Sequence, residues 1–265
     1  MVNTRYSPKK KFGQHFLNDE EVLERIVLQA DLKPNDIVWE VGAGLGALTE
    51  HLLRRDIDLT IFEIDNDLYP LLEKKYSDKC KVKHKDILKL DWETEINRKD
   101  IKIVTNLPYQ ISSPFLYKIF ENYRFINNVV VMLQKEVAKR VCAKPNKKDY
   151  GVLSLKTQFL YKTEYLFEVP PEKFTPPPEV ESSVIRLLPR KDIPYIEHSA
   201  YFWDIVEAAF KMKRKTLRNN LKPLLIKTGT NNSCFPVDLS RRGETLSEKE
   251  FIAVYEHILE HDNPC

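Results

Sequence analysis

Glycine is scarce in this chain, seven among 265 residues, so the backbone has few places where it can turn through positive φ or meet a ligand without a side chain in between. Cysteine is scarcer still. Cys80, Cys142, Cys234 and Cys265 are scattered, with no CxxC pair and no histidine seen at metal-ligand spacing, which argues against a disulfide framework or a zinc centre and for a reducing compartment. Long apolar runs are missing: no uncharged stretch approaches the roughly 18 residues that span a bilayer. The opening Met1-Val2-Asn3-Thr4-Arg5 has no apolar run behind it, so no signal peptide is expected. Excess charge is also missing, with 42 Lys and Arg against 39 Asp and Glu. Any nucleic-acid surface must therefore be a local concentration of cations. The expectation is a soluble cytoplasmic protein.

The chain does have enough apolar residues, 42%, for a large domain and a smaller one. Apolar residues recur at helical spacing from Asp19, with Asn18 or Asp19 as the cap. Strand-like runs follow at Ile37–Val41, Leu59–Ile64, Cys80–His84, Ile101–Thr105 and Val129–Leu133, with helical patterns between or after them. That alternation predicts a parallel sheet with helices on both faces. Two later runs, Tyr165–Val169 and Ser182–Leu188, are joined without a crossover helix and should pair antiparallel. The expected fold is α/β: a Rossmann-like, seven-stranded class I methyltransferase sheet with a small C-terminal helical domain. Residues 1–190 are assigned to the first domain and 191–265 to the second.

Three of the seven glycines fall within five residues, in Glu40-Val41-Gly42-Ala43-Gly44-Leu45-Gly46. A strand that ends in closely spaced glycines lets the backbone turn sharply against a ligand, and Gly42 and Gly44 are the cofactor candidates. The spacing is GxGxG after an acid. It differs from the GxGxxG of phosphate-binding dinucleotide sites and suits a nucleoside that carries an amino acid in place of a pyrophosphate. The second strand ends about 20 residues on at Glu63, where a carboxylate meets ribose hydroxyls in such folds, while Asp65 is assigned to capping the next helix. The third strand runs into Asp86-Ile87, an acceptor for an adenine amine beside an apolar side chain that can pack on the ring.

The fourth strand ends in Asn106-Leu107-Pro108-Tyr109. An amine conjugated to an aromatic ring is a poor nucleophile because its lone pair is delocalised. The Asn106 side-chain oxygen and the backbone carbonyl of Pro108 or Leu107 can accept both amine hydrogens and free that lone pair, and Tyr109 can stack on a flipped base. Nitrogen becomes cationic as it is methylated, so carbonyl dipoles suit the step and a nearby Lys would oppose it.

These motifs together resemble the KsgA-type ribosomal RNA adenine dimethyltransferases. The likeness begins at Lys11-Phe12-Gly13-Gln14-His15-Phe16-Leu17 and runs through the glycine segment, Glu63, Asp86 and Asn106–Pro114. It continues in Met132–Ala138, Phe174–Val184 and Lys213–Leu221. It implies S-adenosyl-L-methionine as cofactor and, as substrate, two adjacent adenines in a hairpin near the end of small-subunit rRNA. The implied partner is the assembling small ribosomal subunit, and a monomer is the default. It also implies that His15, where many relatives carry Asn, and Leu17 fold over the cofactor and that Phe174 walls the target-base pocket.

Lys211, Lys213, Arg214, Lys215 and Arg218, with Lys222 and Lys227, form an acid-free run, expected as a cationic helix face for phosphates. Phe210 and Asn219 or Asn220 are possible further contacts, and Lys9, Lys10 and Lys11 a second phosphate site. The nearest rival is an Erm-type enzyme with the same chemistry on large-subunit rRNA. A dinucleotide-dependent oxidoreductase is disfavoured by the glycine spacing, and an assembly factor that acts chiefly by binding is compatible with the same sequence.

Overall fold

In the computed structural model, which describes residues 6–9, 13–96, 100–230 and 235–261, the chain alternates strand and helix as its apolar periods require. A two-residue strand β1 (Phe16–Leu17) leads into α1 (Glu20–Gln29), β2 (Asp36–Val41), α2 (Ala47–Leu52), β3 (Ile57–Glu63), α3 (Tyr69–Tyr76) and β4 (Lys81–His84). Then come α4 (Trp92–Glu95), β5 (Ile101–Asn106), α5 (Ser112–Glu121), β6 (Ile126–Gln134), α6 (Lys135–Cys142) and α7 (Val152–Leu160). The later elements are β7 (Tyr161–Val169), β8 (Phe174–Thr175), β9 (Ser182–Pro189), α8 (Ser199–Phe210), α9 (Leu217–Lys227) and α10 (Glu248–His261). Lys10, Lys11, Phe12, Cys234 and Cys265 lie outside the described residues.

Seven strands form one sheet in the order β4-β3-β2-β5-β6-β9-β7. The first five are parallel, and β9 pairs antiparallel with both β6 and β7. Val38, Ile61, Ile103, Val130 and Met132 are fully buried, as expected for strands covered on both faces. The fold class is the one expected from the sequence. From β2 the chain moves outward through β3 to β4, then returns to place β5 on the other side of β2. Strand order reverses between β2 and β5, and a crevice opens at the carboxyl ends of such strands.

Asp19 is the cap of α1; its carboxylate accepts the Val22 amide at 3.0 Å. The paired strands β1 and β8 and the one-turn α4 were not anticipated, because elements of two to four residues carry no readable period.

The chain divides into two compact units. The first comprises residues 1–138 and 160–189, and the second residues 139–159 and 190–265. Residues 139–159 thus group with the C-terminal helices, whereas the sequence pattern placed them before residue 190 in the first domain. The cause is side-chain packing. Tyr150 meets Phe210 edge-on at 5.9 Å, and Phe159 packs on Phe202 and Trp203. No helix of the described residues is long and apolar enough to cross a membrane.

Candidate active site

A cavity of about 310 Å³ opens at the carboxyl ends of β2, β3, β4 and β5. Of the predicted cofactor and catalytic residues, His15, Leu17, Gly42, Gly44, Glu63, Asp86, Asn106, Pro108 and Tyr109 all line it, and so does Phe174. The topology makes this convergence: residues up to 159 positions apart arrive at neighbouring strand ends.

The glycine turn follows β2. Gly42 has φ +69° and Gly44 φ +60°, conformations costly for any residue with a Cβ. Space is closed as well. A Cβ on Gly42 would lie 3.1 Å from the Pro108 ring, and one on Gly44 3.0 Å from the Phe16 ring. The Glu63 carboxylate fastens this turn to the end of β3, accepting the Gly44 amide at 3.0 Å and the Ile64 and Asp65 amides at 2.8 and 2.9 Å. Three bonds leave acceptor capacity on its two oxygens. Burial raises its pKa, and the three amides pull against that rise. Glu40, on β2, is 2% exposed and accepts the Thr49 hydroxyl at 2.6 Å. Burial above all, with the nearby Glu63 charge adding to it, pushes Glu40 up to about 8.

Past β4, the Asp86 carboxylate accepts the Leu88 amide at 3.0 Å, and Ile87 is buried against the cavity. Half-exposed Ile64 and Leu45 add apolar lining. The residues present therefore suit S-adenosylmethionine. A bare-backbone turn suits its amino-acid end, a held carboxylate its ribose, and an acid beside apolar side chains its adenine.

At the end of β5, Asn106 is half-buried and lines the cavity. The Pro108 carbonyl already accepts the Ile111 amide at 3.1 Å, closing a single helical turn before α5. That bond uses one of the two lone pairs of the Pro108 oxygen, so the Pro108 and Leu107 carbonyls both stay open as the second acceptor. Tyr109 donates or accepts a 2.5 Å bond with Ser182, and one face of its ring is stacked on His15 at 5.6 Å. His15 donates from Nδ1 to the Pro176 carbonyl at 2.8 Å, which joins the N-terminal segment to the proline cluster. Leu17 and Phe174 are buried core residues that pair across β1 and β8 while also lining the cavity.

The second unit holds the basic run, and two expectations need correction there. Lys211, Lys213, Arg214 and Lys215 are exposed, but on the turn between α8 and α9, while Arg218, Lys222 and Lys227 are exposed on α9 itself. The turn is closed by the Lys215 amide on the Met212 carbonyl. Asn220 is buried and donates to the Ala209 and Met212 carbonyls at 2.7 and 3.2 Å, so it pins this turn and does not reach solvent. Phe210 packs on Tyr150 and Phe251. Spacing alone missed a further group. His257, Glu260 and His261, on one face of α10, bring their ligand atoms within 4.8 Å of one another, an i, i+3, i+4 pattern overlooked in the sequence.

The sheet order, the cavity at the strand reversal and the Asn106–Tyr109 turn at its rim define a class I methyltransferase, with S-adenosylmethionine as methyl donor. The family model for ribosomal RNA adenine dimethylase matches residues 5–259, and the chain belongs to that family. Ribosomal RNA small subunit methyltransferase A of Syntrophotalea carbinolica is 41% identical over 261 residues, covering 97% of this chain and 98% of its own. Among solved structures, a dimethyladenosine transferase from Plasmodium falciparum superposes with a TM-score of 0.79 at 24% identity, covering 93% of this chain and 98% of that one. The 23S rRNA methyltransferase ErmE superposes with a TM-score of 0.67 at 25% identity, covering 92% and 99%.

Proposed function

We propose that this chain dimethylates the N6 amine of two adjacent adenosines in a hairpin near the 3′ end of small-subunit rRNA, and that it acts as a monomer on the assembling small subunit in the cytoplasm. The observation that carries the chemistry is the convergence of Asn106, Leu107 and Tyr109 with Gly42, Glu63 and Asp86 around one cavity. The choice of small-subunit over large-subunit RNA rests on the relative at 41% identity, against 25% for ErmE.

Glu63 would hold the ribose hydroxyls of the donor and Asp86 its adenine amine, while the glycine turn would take its amino-acid end. The donor supplies a sulfonium methyl, an electrophile strong enough that no general base is needed to activate the nucleophile. The Asn106 side-chain oxygen and the backbone carbonyl of Leu107 or Pro108 accept the two hydrogens of the target amine in the first transfer, and one of them accepts the single remaining hydrogen in the second, which draws nitrogen toward tetrahedral geometry and restores its lone pair. As nitrogen takes the methyl carbon, the bond from that carbon to sulfur would break and leave a neutral thioether; the carbonyl dipoles stabilise the positive charge on nitrogen, which then loses one N–H proton to water. An uncharged Asn supplies its dipole without burying a further carboxylate in the cavity that Glu63 lines. Tyr109 offers the base the ring face that His15 leaves open, and its bond to Ser182 fixes the ring plane. Phe174 closes the wall behind the base, and Lys211, Lys213, Arg214, Lys215 and Arg218 hold RNA phosphates.

The test is transfer of labelled methyl groups to undermethylated small subunits, followed by digestion and detection of dimethyladenosine. The expected product is two dimethylated adjacent adenosines. Undermethylated large subunits supplied in a parallel reaction are expected to stay unlabelled; label found there and not in the small subunits would favour the Erm-type reading. Asn106→Ala should lower kcat by about 10²-fold or more, the size of effect seen when one preorganised polar group is removed from a transition state.

A further inference from the structure

One carboxylate in the first unit is buried deeply and is not part of the cavity lining. Asp65 is 0% exposed, yet it sits only two residues past Glu63. Removing a carboxylate from water is costly unless hydrogen bonds and opposite charge replace the lost hydration. Asp65 receives four such bonds. The Asp67 amide donates at 2.8 Å from the local turn. The other three come from the N-terminal segment: the Tyr6 hydroxyl at 2.8 Å, the Lys9 ammonium at 2.6 Å and the Gln14 amide at 3.2 Å. Burial by itself would raise the Asp65 pKa; Lys9, the Asp67 amide, Tyr6 and Gln14 outweigh it and hold the group at about 2.

The donors are also tied to one another and to the cavity. Gln14 Oε1 accepts the Lys9 amide at 2.8 Å and lies 2.5 Å from the Tyr6 oxygen, so the single Tyr6 hydroxyl hydrogen is shared between Gln14 and Asp65. The Tyr6 ring meets Phe16 edge-on at 5.9 Å, and Phe16 lies on Gly44 of the cofactor turn. Gly13 abuts the Gln110 side chain, and His15 stacks on Tyr109 of the methylation motif. Gly13 through Asn18 all line the cavity. The segment therefore bridges the cofactor turn and the target-base motif, and the buried Asp65 carboxylate gathers Tyr6, Lys9 and Gln14 at its far end, where Lys9 also pairs with the exposed Asp67 at 2.6 Å.

We propose that Asp65 is a positioning residue whose carboxylate latches Tyr6, Lys9 and Gln14 and thereby holds Phe16 and His15 across the mouth of the cofactor cavity. The inference rests on the reading of that cavity as the S-adenosylmethionine site. If only the latched form binds the donor well, the apparent dissociation constant is the intrinsic one divided by the latched fraction. Weakening the latch then raises KM and Kd for the donor, while the rate from the loaded enzyme changes little. Detachment would also leave the Asp65 charge without three of its four donors, so the segment should leave as a unit.

The full chain carrying Asp65→Asn, Tyr6→Phe or both tests this. Asp65→Asn keeps the shape and an acceptor for Asp67 but loses the charge, and Tyr6→Phe removes the hydroxyl without touching the turn after β3. Three readouts are needed: donor Kd by calorimetry, kcat and KM in the methyl-transfer assay, and amide hydrogen exchange at residues 13–18. Each single change should raise Kd and KM about tenfold, as expected for losing a hydrogen bond to a charged group, with kcat within about twofold. Exchange at 13–18 should accelerate, and the double variant should be little worse than the more severe single one. Wild-type Kd and exchange in either single variant overturn the latch, and so does a loss of thermal stability with Kd and KM unmoved. If the wild-type protein fails to bind the donor, the cavity reading falls, and exchange at residues 13–18 still decides whether Asp65 holds the segment.

Discussion

At the scale of single residues, the site is made of polar groups whose partners fix their state. Glu40 and Glu63 are both buried acids at the ends of adjacent parallel strands, but they are held differently. Glu63 is held by three backbone amides, whereas Glu40 has one hydroxyl partner and is driven toward its neutral form. This has a consequence for stability. Unfolded, Glu40 titrates near its ordinary value of 4.5; folded, near 8. Between those values the folded chain keeps a proton that the unfolded chain has released. Stability of the ligand-free protein should therefore fall as pH rises from about 4.5 to about 8, with Glu40 contributing up to about 1.4 kcal/mol per pH unit. Denaturation midpoints at pH 5.5 and 8.5 check this. Glu40→Gln, which keeps a bond for Thr49, should lose that part of the slope and gain relative stability at the alkaline end. Residue types and order gave Glu63, Asp86 and Asn106 their expected places at the cavity. Asp65 was assigned to a helix cap because its tertiary donors, 51 to 59 residues earlier in the chain, leave no mark near it in the sequence.

At the scale of elements, the turn after β2 is where backbone conformation and ligand space coincide. A side chain on Gly44 would meet both the strain of φ +60° and the Phe16 ring at 3.0 Å. Gly44→Ala should cost about 1–3 kcal/mol of stability and weaken donor binding by at least about tenfold. Gly151→Ala is the control: nothing lies within 4 Å of the added atom and φ is not positive, so both quantities should stay near wild type. Thermal melts and calorimetry on the two variants separate the outcomes. Periodicity located the long strands and helices to within a few residues, since a buried face repeats along the whole element. It did not find β1 and β8. Their pairing brings Leu17 beside Phe174 across 157 residues of chain, and only the folded sheet puts them in register.

At the scale of the whole molecule, the near-balanced net charge conceals a cationic turn on the second unit. Lys213, Arg214 and Lys215 are exposed, and the proposed role in holding phosphates assigns them to RNA affinity and not to chemistry at the cavity. Replacing all three by Ala should weaken RNA binding and reduce the slope of log K against log salt by about 0.7–0.9 for each phosphate that is no longer neutralised. Donor Kd should stay unchanged. Titrations of rRNA fragments at several salt concentrations measure the slope. The boundary between the two units is the other feature decided at this scale. Residues 139–159 carry no composition break that would assign them to either side, and they belong with the C-terminal helices because Tyr150 and Phe159 find aromatic partners there.

By itself the amino-acid sequence determined which chemical groups are available and in what order they reach successive strand ends: glycines, then Glu63, then Asp86, then Asn106. That much follows from local rules, because a strand's period and the residue at its end are written in neighbouring positions. Only the tertiary structure decided which turn carries the cations and what the N-terminal segment bonds to beside the cavity. Those choices depend on contacts between residues far apart in the chain, where burial and hydrogen-bond satisfaction, and not spacing, select the partner.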